Sequence, residues 1–238
     1  MGRAFEVRKV AMAKTAAAKS KVYAKYGREI FVAAKSGTPD PETNQNLKRI
    51  IEKAKRDQVS ADVIKRAIDK AKGGSDETYT SVRYEGFGPG NTLFIVECLS
   101  DNVNRTVAEV RNCFTKTGGK LGVAGSVLHQ FEHKSIFSTN ELTEEEVLEA
   151  LIENDINADI EDEDGMVLVY GDTSDYYKIK TALLEKKEDI NFEVDEITFI
   201  PIMVSVLEND EDIQKFERLV NMLDELDDVQ EVYNNAKY

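Results

Sequence analysis

The chain has 238 residues with a formal net charge of −14, and 41% of its residues are hydrophobic. This composition is sufficient for a buried core, and the length exceeds the roughly 150 residues of a typical domain. The chain contains no run of about 18 apolar residues, so we expect no membrane partner. The two cysteines, Cys98 and Cys113, exclude a disulfide scaffold or a four-cysteine zinc site. They are typical of a reducing cytosol, and we expect a cytoplasmic protein.

Charge is distributed unevenly along the chain. Residues 1–75 hold 18 of the 31 Lys and Arg and 8 of the 45 Asp and Glu, a net charge of +10, which leaves −24 for the remainder. Such asymmetry favours a nucleic-acid-binding N-terminal end on an acidic body. The alternative is that the positive end docks on the acidic part of the same chain or on another acidic partner.

The N-terminal part is predicted to be helical. Apolar residues recur at helical spacing over residues 15–35, over a second segment that starts at Asp40-Pro41, and over a third from Ser60 to Lys72. Basic residues lie outside the apolar stripes, so we expect three helices with a cationic shell that binds nucleic acid. The predicted nucleic-acid-binding residues are Arg3, Arg8, Lys9, Lys14, Lys19, Lys21, Lys25, Arg28, Lys35, Lys48, Arg49, Lys53, Lys55, Arg56, Lys65, Arg66 and Lys70.

Strand-like segments follow. Residues 79–86 and 92–99 are rich in β-formers and flank the glycine-rich turn 86–90. A helix capped by Asp101-Asn102 comes next, and residues 127–131 are predicted as a further strand. Over 135–200 the pattern is β-α-β-β-α-β, the ferredoxin-like order, with Asp164-Gly165 as a hairpin turn. Its first helix is predicted to bury Val147, Leu148, Leu151 and Ile152. A last helix and a strand over 229–233 are expected to complete the sheet of residues 79–131.

The predicted fold class is therefore α+β in three parts. A basic helical domain occupies residues 1–76. A discontinuous central α+β domain is expected to comprise 77–133 and 201–238. The segment 134–200 forms an inserted acidic ferredoxin-like domain, in which residues 140–196 hold 20 acidic and 4 basic side chains.

Motifs for catalysis or cofactor binding are missing from the sequence. The glycines at 86–90 precede a strand and lack dinucleotide-binding spacing, and neither a P-loop nor a nucleophile elbow occurs. The acidic run at 161–165 fails the calcium-loop spacing. His129 and His133 are the only histidines and have no further metal ligands nearby in sequence. We therefore expect no enzyme, catalytic residue, cofactor, metal or small-molecule substrate.

Two further segments are candidate sites with structural alternatives. Asn102, Asn104, Arg105 and Arg111 lie near a helix N-terminus beside glycine loops, a setting suited to an anion or a partner. Alternatively, Asp101 or Asn102 caps the helix and Arg105 pairs with Glu109. The second candidate is a partner-binding loop of Phe87, Gly88 and Pro89, which could equally be a structural turn.

Several stretches of the chain form a specific combination. They are Tyr84–Gly90, Val96–Thr106, Glu109–Arg111, Lys116–Gly122 and Gly125–Val127, with Asp40-Pro41, Asn46-Leu47 and Ile64–Ile68 upstream. Together these segments resemble the YebC/PmpR family of bacterial regulators, whose mitochondrial relatives activate translation. The resemblance implies a helical N-terminal bundle, a central α/β domain and an inserted ferredoxin-like domain.

The resemblance also implies two alternative ligands. Most family members are described as DNA-binding transcriptional regulators, whereas others resemble ribosome-associated factors that bind ribosomal RNA and relieve stalling, including at proline runs. The start of this chain, Gly2–Lys9, follows the YeeN-like branch and lacks the usual Trp and His. This departure leaves open whether the N-terminal segment stacks on bases, with Phe5 as a substitute.

Overall fold

The computed structural model describes residues 17–238, with side chains from residue 21 onward. It is a mixed α/β structure whose sheets are antiparallel apart from one short two-stranded pair. Two compact units are present: the larger contains the described residues up to His129 together with Val204–Tyr238, and the smaller contains Gln130–Met203. None of the helices in the described range combines the length and apolar composition needed to span a bilayer.

Seven α-helices and ten strands make up this part of the chain. The helices are α1 (Ala17–Ser36), α2 (Gln45–Arg56), α3 (Ala61–Lys72), α4 (Val103–Lys116), α5 (Glu144–Glu153), α6 (Tyr176–Lys186) and α7 (Asp210–Glu225). The strands are β1 (Thr80–Phe87), β2 (Leu93–Ser100), β3 (Lys120–Leu121), β4 (Phe131–Thr139), β5 (Ala158–Glu163), β6 (Met166–Asp172), β7 (Val194–Pro201), β8 (Ser205–Val206), β9 (Val229–Asn234) and β10 (Ala236–Lys237).

Helices α1, α2 and α3 share one apolar core. Its fully buried centre contains Ile30, Leu47 and Ala54. The start of α2 differs from the prediction: Asn44, not Asp40-Pro41, is the N-cap, and its side chain accepts the Leu47 N–H. Asp40 instead begins a turn in which its carbonyl accepts the N–H groups of residues 43 and 44. Asx residues favour turns as well as caps, which explains the four-residue error.

The larger unit also contains a four-stranded antiparallel sheet in the order β3-β1-β2-β9. The tail strand β9 pairs with β2, as expected from the sequence. Helices α4 and α7 contribute to the same core, in which Phe94 packs edge-to-face on Phe114 and at a tilt on Phe216.

The predicted strand at 127–131 is wrong. Residues 128–130 form a single 3₁₀ turn, and β4 begins only at Phe131. The cause lies on β1: the buried carboxylate of Glu85 accepts the N–H groups of Gly125, Val127 and Leu128 at 2.6–2.8 Å. These donors are therefore unavailable to a strand ladder. Burial opposes ionisation, but the three N–H donors outweigh it and lower the pKa of Glu85.

The smaller unit has the order β-α-β-β-α-β, and its antiparallel sheet runs β5-β6-β4-β7. Asp164 and Gly165, with φ of 53° and 85°, form the turn between β5 and β6. Thr143 caps α5 in a reciprocal capping box with Glu146. Two residues of α5 differ from the prediction, because Leu148 and Ile152 are 49% and 69% exposed. Both point away from the packed stripe that contains Val147 and Leu151.

Candidate nucleic-acid interface

Three of the predicted nucleic-acid-binding cations contact the acidic segment 225–231 of the same chain. Lys21 donates to the Glu225 carbonyl at 2.7 Å, and Arg28 donates to the Asp227 carbonyl at 2.6 Å. Lys53 pairs with Glu231, with Nζ 2.5 Å from Oε1. For these side chains the structure favours the alternative in which the positive end docks on the chain's own acidic part.

Asp228 is the centre of these contacts. Its side chain is 2% exposed and lies 2.9 Å from Arg28 and 2.6 Å from Arg105. The Thr106 hydroxyl donates to the same carboxylate at 2.6 Å. Burial alone would raise the pKa of Asp228, but the hydrogen bonds from Thr106 and Arg105 outweigh it and lower that pKa. The carboxylate thus joins α1 to α4 at the start of β9.

Two further cations contact the segment that follows α3. Lys35 donates to the carbonyls of Ser75 and Glu77 at 2.8 and 2.6 Å. Lys70 pairs with the Glu77 carboxylate at 2.6 Å. Both ammonium groups also lie within 5.5 Å of the Phe31 ring centroid, the distance at which cation–π attraction operates.

The remaining cations lie mainly on α2 and α3. Arg49 donates to Asn46 at 3.1 Å, and Arg66 donates through Nε to the Asp62 carbonyl at 3.1 Å. Lys25 is half-buried on α1 and Arg56 is exposed in the last turn of α2. Among the described side chains of α1, α2 and α3, four lysines make no hydrogen bond or ion pair: Lys48, Lys55, Lys65 and Lys72. Lys72 was outside the predicted set.

Five predicted residues lie outside what the structure describes. Arg3, Arg8, Lys9 and Lys14 precede residue 17, and the side chain of Lys19 is also outside the described range.

The candidate anion site at the start of α4 consists largely of internal contacts. Asn102 caps α4 by accepting the Arg105 N–H at 3.1 Å. Arg105 bridges Asp228 and Asp101, at 2.6 and 2.7 Å, rather than pairing with Glu109. Asn104 and Arg111 are exposed on the same helix. An anion at this position would compete with two carboxylates for Arg105, and the anion site stays a prediction.

The candidate partner loop packs closely against its own unit. Pro89 is buried, and Gly88 donates to the Thr92 carbonyl at 2.7 Å. A Cβ on Gly88 would lie 2.5 Å from the Phe94 ring, so only glycine fits there. Phe87 is half-buried, with the Lys120 ammonium 5.2 Å from its ring centroid. These contacts give the loop a structural role, and its role in partner binding stays a prediction.

Sequence reasoning did not identify Asp228 and Glu231 as the acceptors for Arg28 and Lys53. The available signal was the acidic pair Asp227-Asp228 directly before an apolar strand, where a carboxylate is easily buried. No group of three or more His, Cys, Asp or Glu side chains suited to a metal ion is found in the part of the chain that the structure describes.

The fold and its cationic helices define a mixed α/β protein with a basic N-terminal helical segment, and comparisons with known proteins give the family. The model of the TACO1/YebC N-terminal domain matches residues 3–74, and that of the TACO1/YebC second and third domain matches residues 79–236. The chain therefore belongs to the TACO1/YebC family, which confirms the YebC/PmpR resemblance.

Individual relatives cover nearly the whole chain. A probable transcriptional regulatory protein of Acholeplasma laidlawii is 57% identical over 99% of this chain and 98% of its own length. Another from Alteromonas mediterranea is 54% identical with the same coverage. The crystal structure of a conserved hypothetical protein from Aquifex aeolicus matches with a TM-score of 0.77 and 38% identity, over 94% of this chain and 92% of that one.

Proposed function

We propose that this protein is a non-enzymatic regulator of gene expression that binds nucleic acid through its N-terminal helices. The names of its relatives support a regulatory role. The observation that carries the proposal is the group of lysines on α2 and α3 without a partner among the described residues, namely Lys48, Lys55, Lys65 and Lys72. An ammonium group that is not neutralised within the protein is available to a phosphate.

The helices offer few side chains for reading base edges. Asn and Gln are the usual readers of adenine in the major groove, and Arg reads guanine. On α2, however, Asn44 is used for capping and donates to the carbonyls of Ala33 and Thr38, while Asn46 binds Arg49. This arrangement favours binding to the phosphate backbone over recognition of a sequence. Backbone and shape recognition suffice for structured RNA, so ribosomal RNA is the second candidate ligand beside DNA.

Charge-neutralising variants test phosphate contact directly. The variant Lys48→Gln, Lys55→Gln, Lys65→Gln removes three cations that have no partner in the described structure. Its binding to duplex DNA and to a ribosomal RNA fragment should weaken. The slope of log K against log salt should fall in magnitude by about 2 to 3, since each phosphate contact contributes about 0.7–0.9.

A matched control removes the same charge elsewhere. Lys116, Lys178 and Arg218 are exposed and lie outside the three N-terminal helices. Their replacement by Gln should leave the salt slope nearly unchanged, and circular dichroism should show equal helix content in both triple variants. Equal slopes for the two variants would contradict contact through α2 and α3.

Sedimentation of cell lysate in sucrose separates the two candidate ligands. Migration with ribosomal fractions that is lost in the triple lysine variant favours ribosomal RNA. A protein that stays at the top, yet retards duplex DNA when purified, favours DNA. If it stays at the top and retards no nucleic acid, the proposal is wrong and an acidic protein partner becomes the better explanation.

A further inference from the structure

A groove of about 380 Å³ runs between α1 and α3. Tyr23 and Gly27 of α1 line it on one side and Val63 and Ala67 of α3 on the other, and Tyr79 also lines it. Its volume is at the lower end of the range of small-ligand sites, about 300–1,000 Å³. The lining is predominantly apolar and aromatic, although the groove lies within the basic N-terminal helices.

Cations surround this apolar surface. Arg28, Arg66 and Lys70 line the groove together with one carboxylate, Glu77. Lys70 is paired with Glu77 and Arg28 with Asp228, which leaves Arg66 as the cation without a carboxylate partner among the described residues. Arg66 is exposed, and Nε is its only atom bonded to another described residue. Its two terminal nitrogens are therefore available to a ligand. A planar apolar ligand part with an attached anion matches this combination of surfaces.

Gly27 lies in the middle of α1, where glycine is the least favourable residue after proline. Nothing in the described structure requires it: a Cβ at this position would meet no atom within 4 Å, and its φ is not in the positive range. The absent side chain leaves helix backbone open in the groove, one turn from Tyr23. Close approach of a ligand to the backbone is a reason for glycine at such a site.

We propose that this groove takes one unpaired nucleotide, with its base against Tyr23 and Gly27 and its phosphate at Arg66. The inference rests on the proposed function and narrows its ligand to single-stranded nucleic acid. A base within a duplex is stacked and paired and cannot enter a groove of this kind. Stacking of an exposed base on an aromatic side chain tolerates any sequence, which agrees with the scarcity of base-reading side chains on α2.

Binding of labelled oligonucleotides to the full chain tests the inference. Three probes of equal strand length, about 12 nucleotides, fall within known single-strand site sizes. They are a mixed-sequence RNA strand, the same backbone with abasic positions, and the corresponding duplex. Fluorescence anisotropy at fixed salt should give an affinity for the base-bearing strand about 5- to 10-fold above that for the abasic strand, because stacking contributes only where a base is present.

Filling the groove should remove this preference. Gly27→Met places a side chain where the structure leaves space, and it improves helix propensity. The expected result is loss of the 5- to 10-fold preference with unchanged affinity for the abasic strand and the duplex. Ala61→Met, exposed in the first turn of α3 and outside the groove, is the matched control and should retain the preference.

Matched variants test the contributions of the Tyr23 ring and of Arg66 separately. Tyr23→Leu should reduce the preference, whereas Tyr23→Phe should keep it, because Phe retains the ring and loses only the hydrogen bond to the Gln58 carbonyl. Arg66→Gln should weaken single-strand binding several-fold more than Lys65→Gln, which removes the same charge from the neighbouring position outside the groove.

The outcomes separate this inference from the proposed function. Equal affinity for base-bearing and abasic strands, or wild-type behaviour of Gly27→Met, overturns the groove as a base site and leaves the proposed function in place. Absence of binding to every probe overturns both.

Discussion

Arg28 and Asp228, 200 positions apart in the chain, form an ion pair in which the arginine is 23% and the aspartate only 2% exposed. Arg28 comes from the basic helical segment and Asp228 immediately precedes the last long strand. A carboxylate this deeply buried is stable as an anion only when several donors surround it, and here Arg105 and Thr106 complete the set. The contact is therefore a structural joint of the larger unit.

Asp228→Asn should lower the free energy of unfolding by about 2–3 kcal/mol, since it removes the charge from hydrogen bonds to two guanidinium groups. Chemical denaturation measures the change. Asp101→Asn is the matched control: it removes the other, 57% exposed carboxylate that pairs with Arg105 and should cost less than about 1 kcal/mol.

The stability difference between wild type and Asp228→Asn should depend on pH. The pKa of Asp228 is lowered in the folded state, so its contribution is present above its ordinary pKa near 4 and is lost as pH falls through the folded pKa. The stability difference between wild type and Asp228→Asn should therefore shrink below about pH 4. A difference that is constant from pH 7 to about pH 3 would show that packing, not charge, explains the effect.

The stability contributed by Glu29 should depend on pH in the opposite direction to that contributed by Asp228. Burial raises the pKa of this residue to about 7, with Lys53 opposing the shift and Glu231 adding to it. A raised folded pKa means that stability is highest below the ordinary pKa near 4.5 and is lost as pH rises toward 7 and above. Glu29→Gln should therefore stabilise the protein at pH 8 by about 1–2 kcal/mol and flatten its profile between about pH 5 and 7.

The control for Glu29 is Glu42→Gln, which neutralises an exposed carboxylate in the turn before α2. Thermal unfolding over the same pH range should give a profile for this variant parallel to that of the wild type. If both glutamine variants flatten the profile equally, the effect comes from net charge rather than from the burial of Glu29.

Substitutions of Lys53 and Lys55 should affect different properties, the first the stability of the fold and the second nucleic-acid binding. They are two residues apart on α2, but Lys53 pairs with Glu231 and Lys55 is exposed without a partner among the described residues. Lys53→Gln should cost about 0.5–1 kcal/mol in unfolding free energy and leave the salt slope for nucleic acid unchanged. Lys55→Gln should leave stability unchanged and lower the slope by about 0.7–0.9. The reverse pattern would contradict the assignment of the two lysines.

Alanine variants of Gly90 and Gly74 test how closely the turn after β1 is packed. Gly90 lies in that turn, and Gly74 follows α3. Both have positive φ, 62° and 70°, but a Cβ on Gly90 would clash with Leu207, whereas one on Gly74 would meet nothing within 4 Å. Gly90→Ala should cost about 2–4 kcal/mol from backbone strain and overpacking, and Gly74→Ala about 1–2 kcal/mol from strain alone. Equal losses in urea unfolding would mean that Leu207 relaxes away from the turn.

Local patterns in the sequence predicted most of the elements. The helical spacing of Leu47, Ile50, Ile51 and Ala54 identifies the buried face of α2, and all four are buried. Such spacing reports directly on the side of a helix that meets the core. The same reasoning placed the turn at Asp164-Gly165, because this turn depends only on neighbouring residues.

Long-range contacts explain what the sequence could not reveal. The Glu85 carboxylate binds backbone donors about 40 positions away and prevents a strand at 127–131. Arg105 has a carboxylate partner 123 positions away, beyond the reach of any helical spacing rule. Exposure of Leu148 and Ile152 shows a further limit, since α5 has more apolar residues than its packed stripe can bury.

The joint at Asp228 also has a consequence during synthesis. The acceptors between Glu225 and Glu231 lie 178 to 204 positions after their donors Lys21, Arg28 and Lys53. The donors are therefore synthesised long before the acceptors are translated. The N-terminal helices form from local contacts and can fold early, whereas their docking must wait for the end of the chain. Until then the nascent protein exposes an N-terminal segment with a net positive charge, and completion of the last strand neutralises part of that charge.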